Sequence, residues 1–164
     1  QDLTKISKLE DAIFELEPIS SKKICGDVVS EISDVFKLHG RVIRFKNVRK
    51  SELIVANYEL LRSVLMNFSD KKNDVEIKIS NVGEKVRISV RDYGEELPIS
   101  IWRAIKKQNH RPVQASSRPQ SSGLGLFIAQ SFATAMGAKI GVIRHRDGST
   151  FYIDLNRSGQ LSLL

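Results

Sequence analysis

The residues best suited to chemistry in this sequence are two glycines, Gly123 and Gly125, at the start of an apolar stretch that ends at Gly137. The stretch predicts a helix, so the glycines leave backbone N–H groups uncovered at the positive end of the helix dipole. That arrangement can seat a phosphate group. A glycine pair used only for a tight turn and close packing is the plainer interpretation, because the spacing alone is weakly specific.

A long polar loop, residues 108–122, precedes the glycine pair and carries Arg111 and Arg118. We predict that this loop is a mobile lid, because long loops of low hydrophobicity beside a binding site are often functional. Either arginine could reach a phosphate, although exposed loop arginines are commonly just solvated. A dinucleotide-binding turn would directly follow a strand, and a P-loop would need Gly-Lys-Ser/Thr where Leu126 stands, so both motifs are excluded.

The composition limits the classes of protein to which the chain can belong. Its 164 residues suit about one domain, and no apolar run approaches the roughly 20 residues that span a bilayer. The net charge of +7 favours an anionic partner: nucleic acid, nucleotide phosphates or a phosphorylated protein. A single cysteine, Cys25, cannot form an internal disulfide or a cysteine metal cluster. A reducing, intracellular setting fits this cysteine usage best, and we expect a cytoplasmic domain of a parent protein that could itself be anchored in a membrane.

The elements that must position the glycine pair follow from hydrophobic periodicity. Helices are predicted over residues 1–17, from Ser20 or Ser21 to His39, from an Asn57 N-cap to about residue 68, over 100–107 and after the glycine pair. Strands are predicted over 41–46, 52–56, 75–80, 86–92, 139–144 and 150–155. Single helices alternate with hairpins, so we predict an α+β two-layer sandwich: a mixed, mostly antiparallel sheet with helices on one face.

Four segments in this order carry a family resemblance: residues 57–70, 87–94, 122–129 and 148–153. They resemble the N box, the first and second glycine boxes and the last strand of the catalytic, ATP-binding domain of sensor histidine kinases. These kinases are part of the gyrase and histidine kinase ATPase superfamily. The opening is also similar to the end of the family's dimerisation helix. We therefore expect residues 1–17 to be the end of that helix or a linker, 18–156 the catalytic domain and 157–164 a tail.

The resemblance implies where the adenine base of ATP would lie. Asp92 matches the aspartate that accepts a hydrogen bond from the adenine amino group, a contact that the carbonyl of guanine could not make. Gly94 would let the backbone approach the base, and Thr150 matches a strand residue that can lie near it. Without the resemblance, Asp92 could simply cap a turn, and β-propensity would explain Thr150.

The resemblance also implies where the phosphates would lie. Gly123, Leu124, Gly125 and Leu126 would border the triphosphate and hinge the lid, with Arg118 reaching in from the lid. The helix N-terminus would face the phosphates.

The chain departs from the family pattern where the magnesium ion would bind. In ungapped register, Lys71 stands in place of the asparagine that binds Mg²⁺, and a lysine cannot ligate a metal. Three alternatives follow: Asn67 ligates from one turn earlier, Lys71 and Lys72 neutralise phosphate directly, or metal-dependent chemistry is weakened. Glu96 and Ser121 replace glycines of the two glycine boxes, which should stiffen both loops.

The activity implied by the resemblance is transfer of the ATP γ-phosphate to a histidine on an upstream dimerisation domain, with a response regulator as a further partner. His39, His110 and His145 lack the acidic residue that follows the family's acceptor, so the acceptor is expected outside this chain. The alternative is a degenerate, pseudokinase-like domain with weak or no ATP turnover that docks a response regulator or relays a signal. The chain lacks the aromatic platform of a nucleic-acid binder, so no specific nucleic acid is expected.

Overall fold

The structure is a computed structural model that describes residues 5–9, 12–46, 53–107 and 121–158. It contains four helices within these ranges: α1 (Ser21–Leu38), α2 (Tyr58–Ser69), α3 (Ile99–Lys107) and α4 (Ser121–Ala135). The strands are β1 (Lys5–Leu9), β2 (Ala12–Ser20), β3 (Ile43–Lys46), β4 (Leu53–Ala56), β5 (Val75–Val82), β6 (Lys85–Asp92), β7 (Lys139–His145) and β8 (Gly148–Asn156). No helix in the described ranges is long and apolar enough to span a membrane.

The main sheet has five strands in the order β3-β5-β6-β8-β7. β3 runs parallel to β5, whereas the other neighbouring pairs are antiparallel. A smaller sheet of three strands has the order β1-β2-β4, with both pairs antiparallel. The predicted α+β class with a mixed, mostly antiparallel sheet is therefore confirmed.

One face of the main sheet forms the core. Along β5 the apolar residues at alternate positions are buried, whereas Lys78 between them is exposed. Helices α1, α2 and α4 contact strands of this sheet, and Phe68 of α2 packs on Phe151 of β8 with 5.5 Å between ring centroids. Burial of such a side chain contributes about 2 kcal/mol. Helix α2 therefore packs on β8 close to the start of that strand.

Helices α1 and α2 begin where the sequence predicts. The Ser20 side chain accepts a hydrogen bond from the backbone N–H of Lys23 and caps α1. Asn57 does the same for α2 by accepting from the N–H of Leu60. Such caps satisfy donors that have no partner within the helix and contribute about 1 kcal/mol each.

The predicted helix over residues 1–17 is wrong, because β1 and β2 occupy this segment. β1 pairs with β2 from Lys5↔Leu16 to Leu9↔Ala12, and β2 pairs with β4 from Glu17↔Ala56 to Ser20↔Leu53. These pairings outweigh the helical spacing of the apolar residues. β2 also runs without interruption past residue 18, where the sequence predicts the start of the catalytic domain.

Two further details differ from the sequence prediction. β3 and β4 do not form the expected hairpin, since β3 joins β5 and β4 joins β2. The predicted tail remains paired at its start, where Arg157 bridges to Ile54 and the Ser158 N–H donates to the Leu53 carbonyl at 2.8 Å. The predicted lid, apart from the start of α4, lies outside the described residues.

Candidate functional site

A cavity of about 370 Å³ lies between α2, α3, α4 and β8. Its walls are apolar where Phe68, Leu97, Ile101, Leu126 and Phe151 contribute, and polar where Asn67, Asp70, Lys71 and Lys72 do. An apolar body with a few charged groups at one part of the wall is typical of a small-molecule site. Asn67, Lys71 and Leu126, which the sequence predicts to bind a nucleotide, all line this cavity.

Asp92 is a buried carboxylate beside the cavity, with a residue exposure of 5%. It ends β6 directly opposite Ser149 of β8, and the Ser149 hydroxyl donates to Oδ2 of Asp92 at 2.8 Å. A buried carboxylate needs such partners because leaving water is costly. Lys71 supplies a second one, with its Nζ 3.9 Å from the same oxygen.

Gly148 allows β8 to begin close to Asp92. Its φ is +130°, and a Cβ at this position would collide with the backbone carbonyl of Asp92. Only glycine can adopt this positive φ and lie this close to the Asp92 backbone without strain. This glycine therefore sets the position of the neighbouring Ser149 against the carboxylate.

Lys71 turns into the cavity rather than towards water. Its Nζ lies 4.4 Å from the centroid of the Phe151 ring, and 28% of its side chain is exposed. Burial lowers the pKa of Lys71, an effect that the negative charges of Asp92 and Asp70 oppose. The lysine therefore places a positive charge on an aromatic wall of the cavity.

The glycine pair meets α2 at Asn67. A Cβ added at Gly125 would collide with the side-chain amide of Asn67, so the present position of this amide depends on glycine here. Gly123 and Leu124 lie in the first turns of α4, which begins at Ser121. N–H groups of a first helical turn have no partner within the helix. Asn67 thus lies against α4 at Gly125, two residues after Gly123.

The loop between β6 and α3 is tied to β7. Arg144 donates from Nε to the Leu97 carbonyl at 2.8 Å and forms an ion pair of 2.9 Å with Glu96. Gly94 of this loop lies against the side chain of Asn73, which a Cβ at Gly94 would strike. Glu96, where the resemblance would place a glycine, therefore pairs with Arg144 of β7.

Thr150 lies on the other face of β8 from Ser149. Its hydroxyl is 2.8 Å from Nε2 of His145, and in the ladder it pairs with Arg91 rather than Asp92. Sequence reasoning missed Ser149, although strand alternation places it on the same face as buried Phe151 and so offered a signal. Arg111 and Arg118 lie outside the described residues.

Oxygen donors for a hard cation are few at this cavity. The described residues hold no group of three or more His, Cys, Asp or Glu side chains that could bind a metal. Asn67 and Asp70, whose side chains carry oxygens, do line the cavity. Mg²⁺ is commonly held by one or two protein oxygens plus phosphate and water, so these two residues fit an ion that arrives with its ligand.

The sequence from residue 53 to 159 matches the family described as histidine kinase-, DNA gyrase B-, and HSP90-like ATPase. The chain is 26% identical to the adaptive-response sensory kinase SasA of Prochlorococcus marinus (strain MIT 9215), over 93% of this chain and 44% of that protein. The SasA of Prochlorococcus marinus subsp. pastoris is 24% identical with the same coverage. The chain thus spans 44% of the length of these curated relatives.

Solved structures of histidine kinases share the fold. The nucleotide-free catalytic domain of ThkA superposes with a TM-score of 0.73 at 18% identity, covering 88% of this chain and 97% of that one. Full-length ShkA in complex with AMPPNP superposes with a TM-score of 0.70 at 23% identity, covering 87% of this chain and 31% of that one. ThkA in complex with the response regulator protein TrrA superposes with a TM-score of 0.68 at 17% identity, covering 90% of this chain and 43% of that one.

Proposed function

The chain belongs to the family of histidine kinase-, DNA gyrase B-, and HSP90-like ATPases, and from that premise we propose that its cavity binds ATP as the catalytic domain of a sensor histidine kinase. The observation that carries the proposal is the Asp92 carboxylate, buried and oriented by Ser149 beside an apolar cavity. The full-length kinase ShkA, which shares the fold, has been solved with AMPPNP.

Asp92 is the proposed partner of the adenine base. Its carboxylate only accepts hydrogen bonds, so it suits the adenine amino group and disfavours the guanine carbonyl. Phe151 and Ile101 supply apolar surface for the faces of the base. Gly94 lies two residues after Asp92 and is proposed to border the base, whereas the hydrogen bond from Ser149 takes the role that the resemblance gave to Thr150.

The triphosphate is proposed to lie at the start of α4. The N–H groups near Gly123 carry the positive end of the helix dipole, and Gly125 brings Asn67 alongside. Asn67, with Asp70 nearby, would hold a Mg²⁺ ion that neutralises phosphate charge. Arg118 and Leu126 are the further phosphate contacts that the sequence predicts.

The proposed reaction moves the γ-phosphoryl group of ATP to an imidazole nitrogen on an upstream dimerisation domain. The bond between the γ-phosphorus and the bridging oxygen breaks, the N–P bond forms, and ADP leaves. This chain would contribute position and charge neutralisation, since phosphoryl transfer asks for little covalent chemistry from the protein. A response regulator would then receive the phosphoryl group, as a partner of the kind that ThkA binds.

The cytoplasm is the proposed compartment. Cys25 is fully buried, and burial raises the pKa of its thiol to about 12. Such a thiol is a small apolar side chain of the core rather than a reactive or disulfide-forming group. A reducing compartment therefore suits the chain.

The second candidate is a degenerate domain that docks a partner or relays a signal with little ATP turnover. The contact between Lys71 and Asp92 favours it, because a protein ammonium already faces the carboxylate that a base would use. The Glu96–Arg144 ion pair favours it as well, since it ties down a loop next to the proposed base.

Calorimetry with ATP, with and without Mg²⁺, tests the proposal on the wild-type chain, Asp92→Asn and the exposed control Asp34→Asn. We expect Mg²⁺-assisted binding that Asp92→Asn weakens by about 10-fold or more, because a charge-assisted hydrogen bond is lost. The control should bind as the wild type does. Binding without γ-phosphate transfer to an added dimerisation domain would favour the degenerate domain, and binding unaffected by Asp92→Asn would contradict the proposed base contact.

A further inference from the structure

The Lys71 side chain occupies the part of the cavity that holds the best partners for a base. Its Nζ contacts both Oδ2 of Asp92, at 3.9 Å, and the Phe151 ring, at 4.4 Å from the centroid. A lysine just after a helix usually extends its ammonium into water. Here 28% of the side chain is exposed, so most of it is held inside.

Backbone contacts hold Lys71 in this position. Its N–H donates to the Ser69 carbonyl at 2.8 Å, and its own carbonyl accepts from the Arg41 guanidinium. The Cα is therefore fixed beside the cavity while the four-carbon stem can still rotate. Because the backbone is fixed and the side-chain stem is flexible, the ammonium can leave Asp92 without unfolding of the loop.

The ammonium and an adenine amino group would use the same acceptor. Oδ2 of Asp92 already accepts from Ser149 and faces Lys71, and the Phe151 ring is covered by the same charge. A base that stacks on Phe151 and donates to Asp92 must displace the ammonium. Lys71 and Asn67 both line this cavity. The displaced ammonium therefore stays near Asn67, where phosphate is proposed to lie.

We propose, resting on the proposed ATP site, that Lys71 is an internal competitor for the base subsite, which selects adenine ligands that carry phosphate over those that do not. An adenine ligand must break the contacts of the ammonium with Asp92 and Phe151. A ligand with phosphates regains this loss when the freed ammonium pairs with them, whereas adenosine does not. Lys71 is thus a specificity-determining residue of this site.

The proposal predicts opposite effects for two ligands when the ammonium is removed. Lys71→Ala frees the base subsite, so adenosine should bind about 5- to 30-fold more tightly, the range that a displaced cation–π contact implies. ATP gains the same access but loses a phosphate partner. The ratio of ATP affinity to adenosine affinity should therefore fall in the variant.

Calorimetry of adenosine and ATP without Mg²⁺ on the wild-type chain, Lys71→Ala and Lys78→Ala tests this. Lys78 is exposed on the other face of the sheet, so its variant removes the same charge without touching the cavity. Tighter adenosine binding and a lower ratio in Lys71→Ala alone would support the competitor. ATP binding to the wild type with no gain for adenosine would overturn it and leave the proposed ATP site standing. Absence of ATP and adenosine binding to both the wild type and Lys71→Ala would instead contradict the proposed function, and the competitor with it.

Discussion

The hydroxyl of Ser149 donates a hydrogen bond of 2.8 Å to Oδ2 of Asp92 across the antiparallel pair of β6 and β8. Both residues are buried, with exposures of 3% and 5%. The bond fixes the orientation of a carboxylate that has few other partners. The proposed recognition of the base depends on an oriented acceptor. Since the register of β6 and β8 places Ser149 opposite Asp92, the selectivity of the site depends on this register.

Ser149→Ala should weaken ATP binding about 5-fold and destabilise the fold by about 1 to 2 kcal/mol, because a buried carboxylate loses its donor. Thr150→Val is the matched variant, since Thr150 bonds to His145 on the other face of β8. Its effect on ATP affinity should be smaller. Calorimetry and urea denaturation measure the two effects, and equal losses of affinity in both variants would contradict the assigned register.

Gly148→Ala should destabilise the protein by about 2 kcal/mol or more, since it combines a positive φ with a collision against backbone. Gly26 of α1 is the control, because a Cβ there would meet nothing within 4 Å. Gly26→Ala should be neutral or stabilising by up to about 1 kcal/mol through helix propensity. Thermal or urea unfolding compares the two, and a neutral Gly148→Ala would refute the described approach of β8 to Asp92.

Gly125→Ala should reduce the contribution of Mg²⁺ to ATP affinity more than it reduces stability. The added methyl group strikes the end of the Asn67 side chain, which can rotate away at modest cost but then leaves its proposed place beside the phosphates. Asn67→Ala should remove the same contribution. Titrations of ATP with and without Mg²⁺ measure it, and a full Mg²⁺ effect in both variants would exclude Asn67 as the ligand.

The bond between Tyr58 and Asp27 should make stability depend on pH. The Tyr58 hydroxyl lies 2.5 Å from Oδ2 of Asp27, and this bond raises the pKa of Tyr58 from 10.0 to about 12 and lowers that of Asp27 from 3.8. A raised pKa means that the folded state holds its proton longer than the unfolded state. The stabilisation is therefore complete below pH 10.0 and is lost as the pH rises through about 12.

Tyr58→Phe should accordingly cost about 1 kcal/mol near neutral pH, and the difference from wild type should vanish in strong alkali. It should also shrink below pH 3.8, where Asp27 begins to gain a proton in the unfolded chain. Tyr93→Phe is a suitable control because Tyr93 is exposed. Urea denaturation across pH measures the difference, and a constant difference at high pH would show that the bond does not control the titration.

Strong local patterns explain what the sequence predicted well. In the β5–β6 hairpin, apolar and polar residues alternate over 75–80 and 86–91, and α2 combines an Asn57 cap with an apolar face, so local physics and the final fold agree. The segment before α1 was predicted wrongly because its apolar residues fall near helical spacing, whereas residues 5–9 pair with 12–16 as a hairpin and residues 17–20 pair with β4. Apolar spacing alone cannot show that strand pairing will outweigh a helix.

The site shows the same division between local and distant information. Asp92 and the glycine pair have distinctive neighbours in sequence, so the motifs that contain them could be recognised. The contacts of Lys71 with Asp92 and Phe151 join residues from a loop and two strands, and nothing in their sequence spacing implies them. The choice between Ser149 and Thr150 depended on which face of β8 meets the core, which the resemblance alone did not decide.

The most direct test of the central claim compares the affinities of ATP and inosine triphosphate for the wild-type chain and for Asp92→Asn. Inosine carries a carbonyl where adenine carries its amino group, and an asparagine amide can donate to that carbonyl whereas a carboxylate cannot. We predict that the wild type prefers ATP by about 10-fold or more and that Asp92→Asn loses or reverses this preference. An unchanged preference for ATP in Asp92→Asn would contradict the assignment of Asp92 as the partner of the base.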